Sequence, residues 1–325
     1  MKTFIGLATA FVGAALASSA WAQPAFPSKP ITIVVPFTAG GPTDTVARSV
    51  AQGMTKALGQ TVVVENTAGA GGTIASTRVK NASPDGYTLL LHHIGMSTAP
   101  ALYRKLAYNP LTDFEMTGMV VDTPMTLVAR SDFPAKDLNE FVAYVKANKA
   151  KLNLANAGVG SASHLCGLLF QSTIQTEVTT VPFKGTADAL NAVLAKQVDF
   201  LCDQTTNTTQ HINAGTVKAY GVTSKTRVPT LPNLPTLDEG GLKGFQVGVW
   251  HGVYAPKGTP KAVVDKLAAA MQQAMKEPDF RKRMSDLGAT VYAPEQSTPA
   301  ALAAHLKSEI ERWTPVIKAA GVYAD

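Results

Sequence analysis

Cysteine is nearly missing from this 325-residue chain, with Cys166 and Cys202 the only two. Neither belongs to a CxxC motif and no His/Cys group stands at ligand spacing, which argues against a zinc site or thioredoxin-like chemistry. Nucleotide fingerprints are missing too. The glycine-rich GAGGT at 69–73 does not match G-x-G-x-x-G and no P-loop lysine follows it, so it reads as structural. The strained-turn serine motif G-x-S-x-G is likewise absent, since the nearest candidate, GSASH at 160–164, does not fit it. Charged residues make up only 16% of the chain and the basic ones are scattered, so no basic stripe with stacking aromatics is available for nucleic acid. Beyond the N-terminus no apolar stretch reaches the roughly 18 residues of a membrane span, because charges such as Asp122 interrupt every candidate.

What is present reads as an exported α/β protein. Lys2, the apolar run FIGLATAFVGAALASSA and Ala20-Trp21-Ala22 have the order of a cleaved signal peptide over residues 1–22, too short and lacking a stop-transfer segment for an anchor. Its removal takes Lys2 from the formal charge of +6. With 46% hydrophobic residues the remainder can fill two cores, and disorder is excluded. In an oxidising compartment Cys166 and Cys202, each just beyond a strand end, stand either as a disulfide or as two buried thiols.

Strand and helix patterns alternate along the chain. A β-branched run at 31–36, helical spacing of Val46, Val50, Met54 and Leu58, and a strand at 61–65 form a βαβ unit and imply a parallel sheet. Further strands are predicted at 87–91, 117–121, 126–130, 152–155, 178–181, 198–202 and 217–222. Helical stretches are predicted at 261–287 and 299–320, covering the first domain. The chain then divides into domain 1 (23–123 plus 226–325) and domain 2 (124–225), crossing between them twice, which makes a hinge and a cleft.

Two loops stand out. In VPFTAGGPTDTVAR, Pro42 suits the first helical position, leaving the amides near Gly41, Thr43 and Asp44 unpaired at the positive end of a helix. Gly40 and Gly41 let a ligand approach the backbone, and Thr38 and Thr43 add hydroxyls without charge. The plain alternative is a turn capped by Asp44. NLANAGVGSASHLCGLLF repeats the device, with Gly158, Gly160, Ser161 and Ser163 at a helix start. His164 is too near those serines along the helix to serve them as a base and reads as packed or capping. His92 and His93 close a strand, and as neighbours facing opposite ways they do not make a metal site; one of them lines the cleft. Lys184 reads as a solvated loop lysine. Asp203 ends another strand, placed either for a ligand donor or to cap the next helix, and Trp250 either walls the cleft or fills core.

Together, PFTAGGPTDTVAR, VVVENTAGAGGTIAS, SPDGYTLL, GVGSASHL, VPFKGTADAL, VDFLCDQ, RVPTLPNLPTLDE and VWHGVYAPKGTP resemble, in order, the solute receptors of tripartite tricarboxylate transporters, the Bug or TctC family. The resemblance implies an α/β two-domain periplasmic binding protein of the Venus-flytrap type, without cofactor or catalysis, working as a monomer with membrane permease subunits. It implies that the glycine loops hold a carboxylate through Gly40, Gly41, Ser161, Ala162 and Ser163, with Asp203 at the acidic position near the pocket. On this reading His93, Asp203 and Trp250 select the distal part of a dicarboxylate, an aromatic acid or an acidic amino acid. Two alternatives are a sensory receptor presenting its ligand to a kinase, and a hydrolase using Ser161 or Ser163 with His164.

Overall fold

The computed structural model describes residues 26–324, so the expected signal peptide lies outside the described residues. Strand β1 (Ile31–Val35), helix α1 (Pro42–Leu58) and strand β2 (Val62–Asn66) form the first unit, followed by α2 (Thr73–Lys80), β3 (Thr88–His93) and α3 (Gly95–Leu102). Strand β1 pairs in parallel with both β2 and β3. Ile31, Ile33, Val34 and Val35 are fully buried, as in a strand covered on both faces.

The next strand, β4 (Phe114–Arg130), runs without interruption for 17 residues. Two strands, at 117–121 and 126–130, were expected here. Pro124 is instead tolerated because the ladder changes partner at that point: residues up to Pro124 pair with a later strand, and residues from Met125 onward pair with others.

After β4 come α4 (Leu138–Asn148), β5 (Asn153–Asn156), α5 (Ala162–Thr173), β6 (Thr179–Pro182), α6 (Thr186–Leu194), β7 (Phe200–Gln204), α7 (Thr205–Asn213) and β8 (Val217–Val222). Strands β5, β6 and β7 are parallel to one another, and β7 and β8 both run antiparallel to the second half of β4. Helix α4 begins with a capping arrangement, Asp137 accepting the Glu140 N–H at 2.9 Å while Glu140 accepts the Lys136 N–H at 2.8 Å.

The chain returns through β9 (Gly248–Pro256), α8 (Lys261–Lys276), α9 (Pro278–Asp286), β10 (Thr290–Val291) and α10 (Pro299–Ala320). Strand β9 was not foreseen, yet it lies between β3 and β4 and completes the order β2-β1-β3-β9-β4-β7-β5-β6. Its glycines blur the strand signal for a packing reason: a Cβ at Gly252 would stand 2.9 Å from Leu302 of α10. The single helix expected over 261–287 is two, because Pro278 holds Glu277 extended (ψ 130°) and starts α9 afresh.

Helices α1 and α8 lie side by side over the first half of the sheet, so close that Gly53 meets Ala274 where any side chain would collide. The segment between β8 and β9 packs on the second half, with Leu237 against Gly221 and Gly240 against Leu138. Thr223 joins the two crossings: its hydroxyl donates to Val247 O at 2.6 Å and accepts the Met125 N–H at 2.8 Å.

Candidate functional site

Four helix starts meet between the halves. A small cavity there is lined by Pro42 and Thr43 of α1, Ser161 to Ser163 at the start of α5, Thr186 of α6 and Gln204, the residue preceding α7, with Phe37, His93 and Ala157 completing it. Its free space is about 10 Å³, close to that of a single water-sized sphere. A ligand of several heavy atoms therefore needs the halves to part before it can enter.

Helices α1, α6 and α7 begin without a side-chain cap, so their first amides have no partner from that source. The lining contains no lysine, arginine, aspartate or glutamate. What it offers an anion is therefore the positive ends of helices together with hydroxyls.

The hydroxyl pair at α5 is arranged to leave a proton over. Ser161 Oγ accepts the His164 N–H at 3.2 Å, Ser163 Oγ accepts the Ala157 N–H at 2.8 Å, and the two oxygens are 3.1 Å apart. One hydroxyl proton is used between the serines, and the other is available to the cavity. The His164 ring turns away from them, its Nδ1 accepting the Gly160 N–H at 3.4 Å, and burial lowers its pKa to about 4. Ser161 thus meets the backbone of His164 and not its imidazole, which is not the geometry of a nucleophile and its base.

His93 is stacked on Phe37 and enclosed by His92 and His251. Burial, then the nearness of His92 and His251, holds it well below its ordinary pKa, so it is neutral. Its Nδ1 accepts the Gly95 N–H at 2.9 Å, which places the proton on Nε2 and makes the ring a donor.

Of the other predicted residues, Gly41 precedes α1 and faces α6, its Cβ position falling 3.7 Å from the Ala187 nitrogen. Thr38 packs on Gly185 across the cleft. The Gly40 amide is taken, since it donates to Asp44 at 2.9 Å, and Gly40 lines a larger outer depression beside α7 and α9. The Gly160 carbonyl accepts from Thr98 of α3 at 3.2 Å, a bond between the halves. Asp203 is wholly buried behind Gln204, accepting the Gln204 N–H at 2.7 Å and Asn207 Nδ2 at 2.6 Å. Burial with no cation at hand pushes its carboxyl up to about 7.

Trp250 is not brought to the cavity. Alternation along β9 turns it toward His305 of α10, whereas its neighbour His251 faces the site and stands 3.4 Å from the Thr43 hydroxyl. Cys166 and Cys202 form a disulfide that ties α5 to β7. Gln204, Thr186 and His251 were not foreseen. VPFKGTADAL does carry a signal, a strand followed by glycine, threonine and a helix, as in the first loop.

A sheet in two halves, joined by crossing strands and closing on a cavity ringed by helix starts, defines a two-domain solute-binding protein. Solved structures agree. The periplasmic binding protein BugD is 55% identical and superposes with a TM-score of 0.91 over 92% of this chain and 100% of its own. MatC from Rhodopseudomonas palustris with bound malate is 47% identical, with a TM-score of 0.88 over 90% and 100% of the two chains. R. palustris Rpa4515 with adipate is 30% identical, with a TM-score of 0.86 over 92% and 99%. A protein from the TAR-I ttuE-ttuC' intergenic region of Agrobacterium vitis is 48% identical over 93% of this chain and 87% of its own. Residues 46–322 match the tripartite tricarboxylate transporter family receptor, TctC, and the chain belongs to that family. It is a substrate-binding receptor and not an enzyme.

Proposed function

We propose that this protein captures a small carboxylate in the periplasm and delivers it to the membrane permease of a tripartite tricarboxylate-type transporter. The observation that carries the reading is the convergence of the α1, α5, α6 and α7 starts on a cavity with no charged side chain. One carboxylate fits between the Thr43 end of α1 and the Ser161–Ser163 turn of α5, with His93 Nε2 as a further donor. The malate and adipate bound by MatC and Rpa4515 support a dicarboxylate.

Affinity and motion are linked in this arrangement. A ligand touching both halves favours the closed form, whereas one with equal affinity for open and closed forms shifts nothing. The hinge lies where β4 passes Pro124 and where the return segment passes Val247, with Thr223 between them. On this division residues 226–245 move with the second domain, onto which they pack.

The test is a thermal-shift panel of dicarboxylates, aromatic acids and acidic amino acids against protein refolded to remove carried-over ligand. A carboxylate at 100 times its dissociation constant is expected to add about 2.7 kcal/mol of stability. Absence of a shift with every carboxylate overturns the reading.

A further inference from the structure

We propose that Gln204 reads a hydrogen-bond donor on the ligand, so that the site selects carboxylates carrying a hydroxyl or ammonium group on their chain over the unsubstituted acids. The inference rests on the carboxylate reading above and deepens it.

Gln204 is 3% exposed, lines the cavity immediately before α7, and its buried Oε1 has no partner among the described residues. Its backbone is held in place, because its N–H donates to Asp203 Oδ1. The other oxygen of Asp203 is engaged by Asn207, so the acid behind the glutamine is already occupied. The rest of the site is arranged to donate: His93 through Nε2, the serine pair through its spare proton, and the uncapped helix starts through their amides.

An amide oxygen only accepts, and so does an ionised carboxylate. In this orientation of the amide, a plain dicarboxylate, which offers no donor, leaves the buried Oε1 unpaired. A ligand with one O–H or N–H on its chain satisfies it. Sites built to pair a ligand hydroxyl discriminate strongly against the analogue that lacks it, because the protein group is left unsatisfied.

Calorimetry with three matched sets tests this: malate, aspartate and succinate; 2-hydroxyglutarate, glutamate and glutarate; 3-phenyllactate, phenylalanine and 3-phenylpropionate. In the set that binds, the hydroxy or amino member is expected to bind on the order of tenfold more tightly than the plain acid, and the two arms tell hydroxyl from ammonium. Gln204→Leu, which removes the acceptor, is expected to reduce that ratio to near one. Gln204→Glu, which keeps an acceptor, is expected to preserve the ratio while weakening all members through charge repulsion.

Equal binding within a set overturns the inference and leaves the carboxylate reading standing; so does a plain acid that binds best, as expected if the amide presents its N–H₂ to the cavity. A preference that survives Gln204→Leu also overturns the role of Gln204. Failure of all nine compounds to bind overturns both readings.

Discussion

Asp203 is a carboxyl buried beside a neutral glutamine and an asparagine, with no cation to stabilise its charge. Burial raises its pKa in the folded protein to about 7, above that of a free aspartate. For a raised carboxyl, the contribution to stability is complete below the unfolded pKa near 4 and is lost as pH rises through the folded value. Asp203→Asn does not titrate there. The stability of Asp203→Asn relative to the parent protein is therefore expected to increase from pH 4 to pH 8 in urea titrations, and a flat difference contradicts the assignment. The buried His92, His93, His164 and His251 titrate in both proteins, so their effects cancel in the comparison. Sequence reasoning located Asp203 by its place at a strand end, yet a pKa near neutrality depends on which partners surround it, and those come from α6 and α7.

At the scale of elements, the disulfide joins α5, whose first turn holds the serine pair, to β7, whose last residue is Gln204. It closes a loop with a sequence separation of 36 residues. A loop of this length is worth roughly 3–4 kcal/mol through the unfolded state. The Cys166→Ala/Cys202→Ala double variant is expected to unfold at correspondingly lower urea, and reduction of the parent protein is expected to match it. The helix starts and loop glycines were legible because Pro42 and Ser161 obey local capping chemistry. Strand β9 was not, because Gly248 and Gly252 answer to the packing of Asp122 and α10 against them, which no local pattern records.

Closure belongs to the whole molecule. Gly185, before α6, is extended at φ −173°, a conformation any residue adopts. A side chain there would strike Thr38 of the opposite half. Gly185→Val is therefore expected to fold with unchanged stability in the absence of ligand but to resist closing. Its affinity for the carboxylate that stabilises the parent is expected to fall on the order of tenfold, with the ligand-induced compaction in solution scattering reduced. Full compaction and full affinity would show that closure does not bring these loops together. The contacts of Tyr103 with Val159 at 2.7 Å and of Thr205 with Gly288 at 3.2 Å join the halves on either side of the site.

By itself the sequence determined the alternation of strands and helices, the two glycine-bearing helix starts and the family resemblance, since each rests on periodicity and capping that act within a few residues. It left the cysteines as a pair or two thiols and placed Trp250 on the cleft or in the core. Only the tertiary structure decided these. Whether two sulfurs meet, which face of β9 a tryptophan takes, and which helix starts share one cavity are set by contacts between residues far apart in the chain. The uncharged cavity that we propose as an anion site is such a property, because its four short polar turns come together only when the two halves meet.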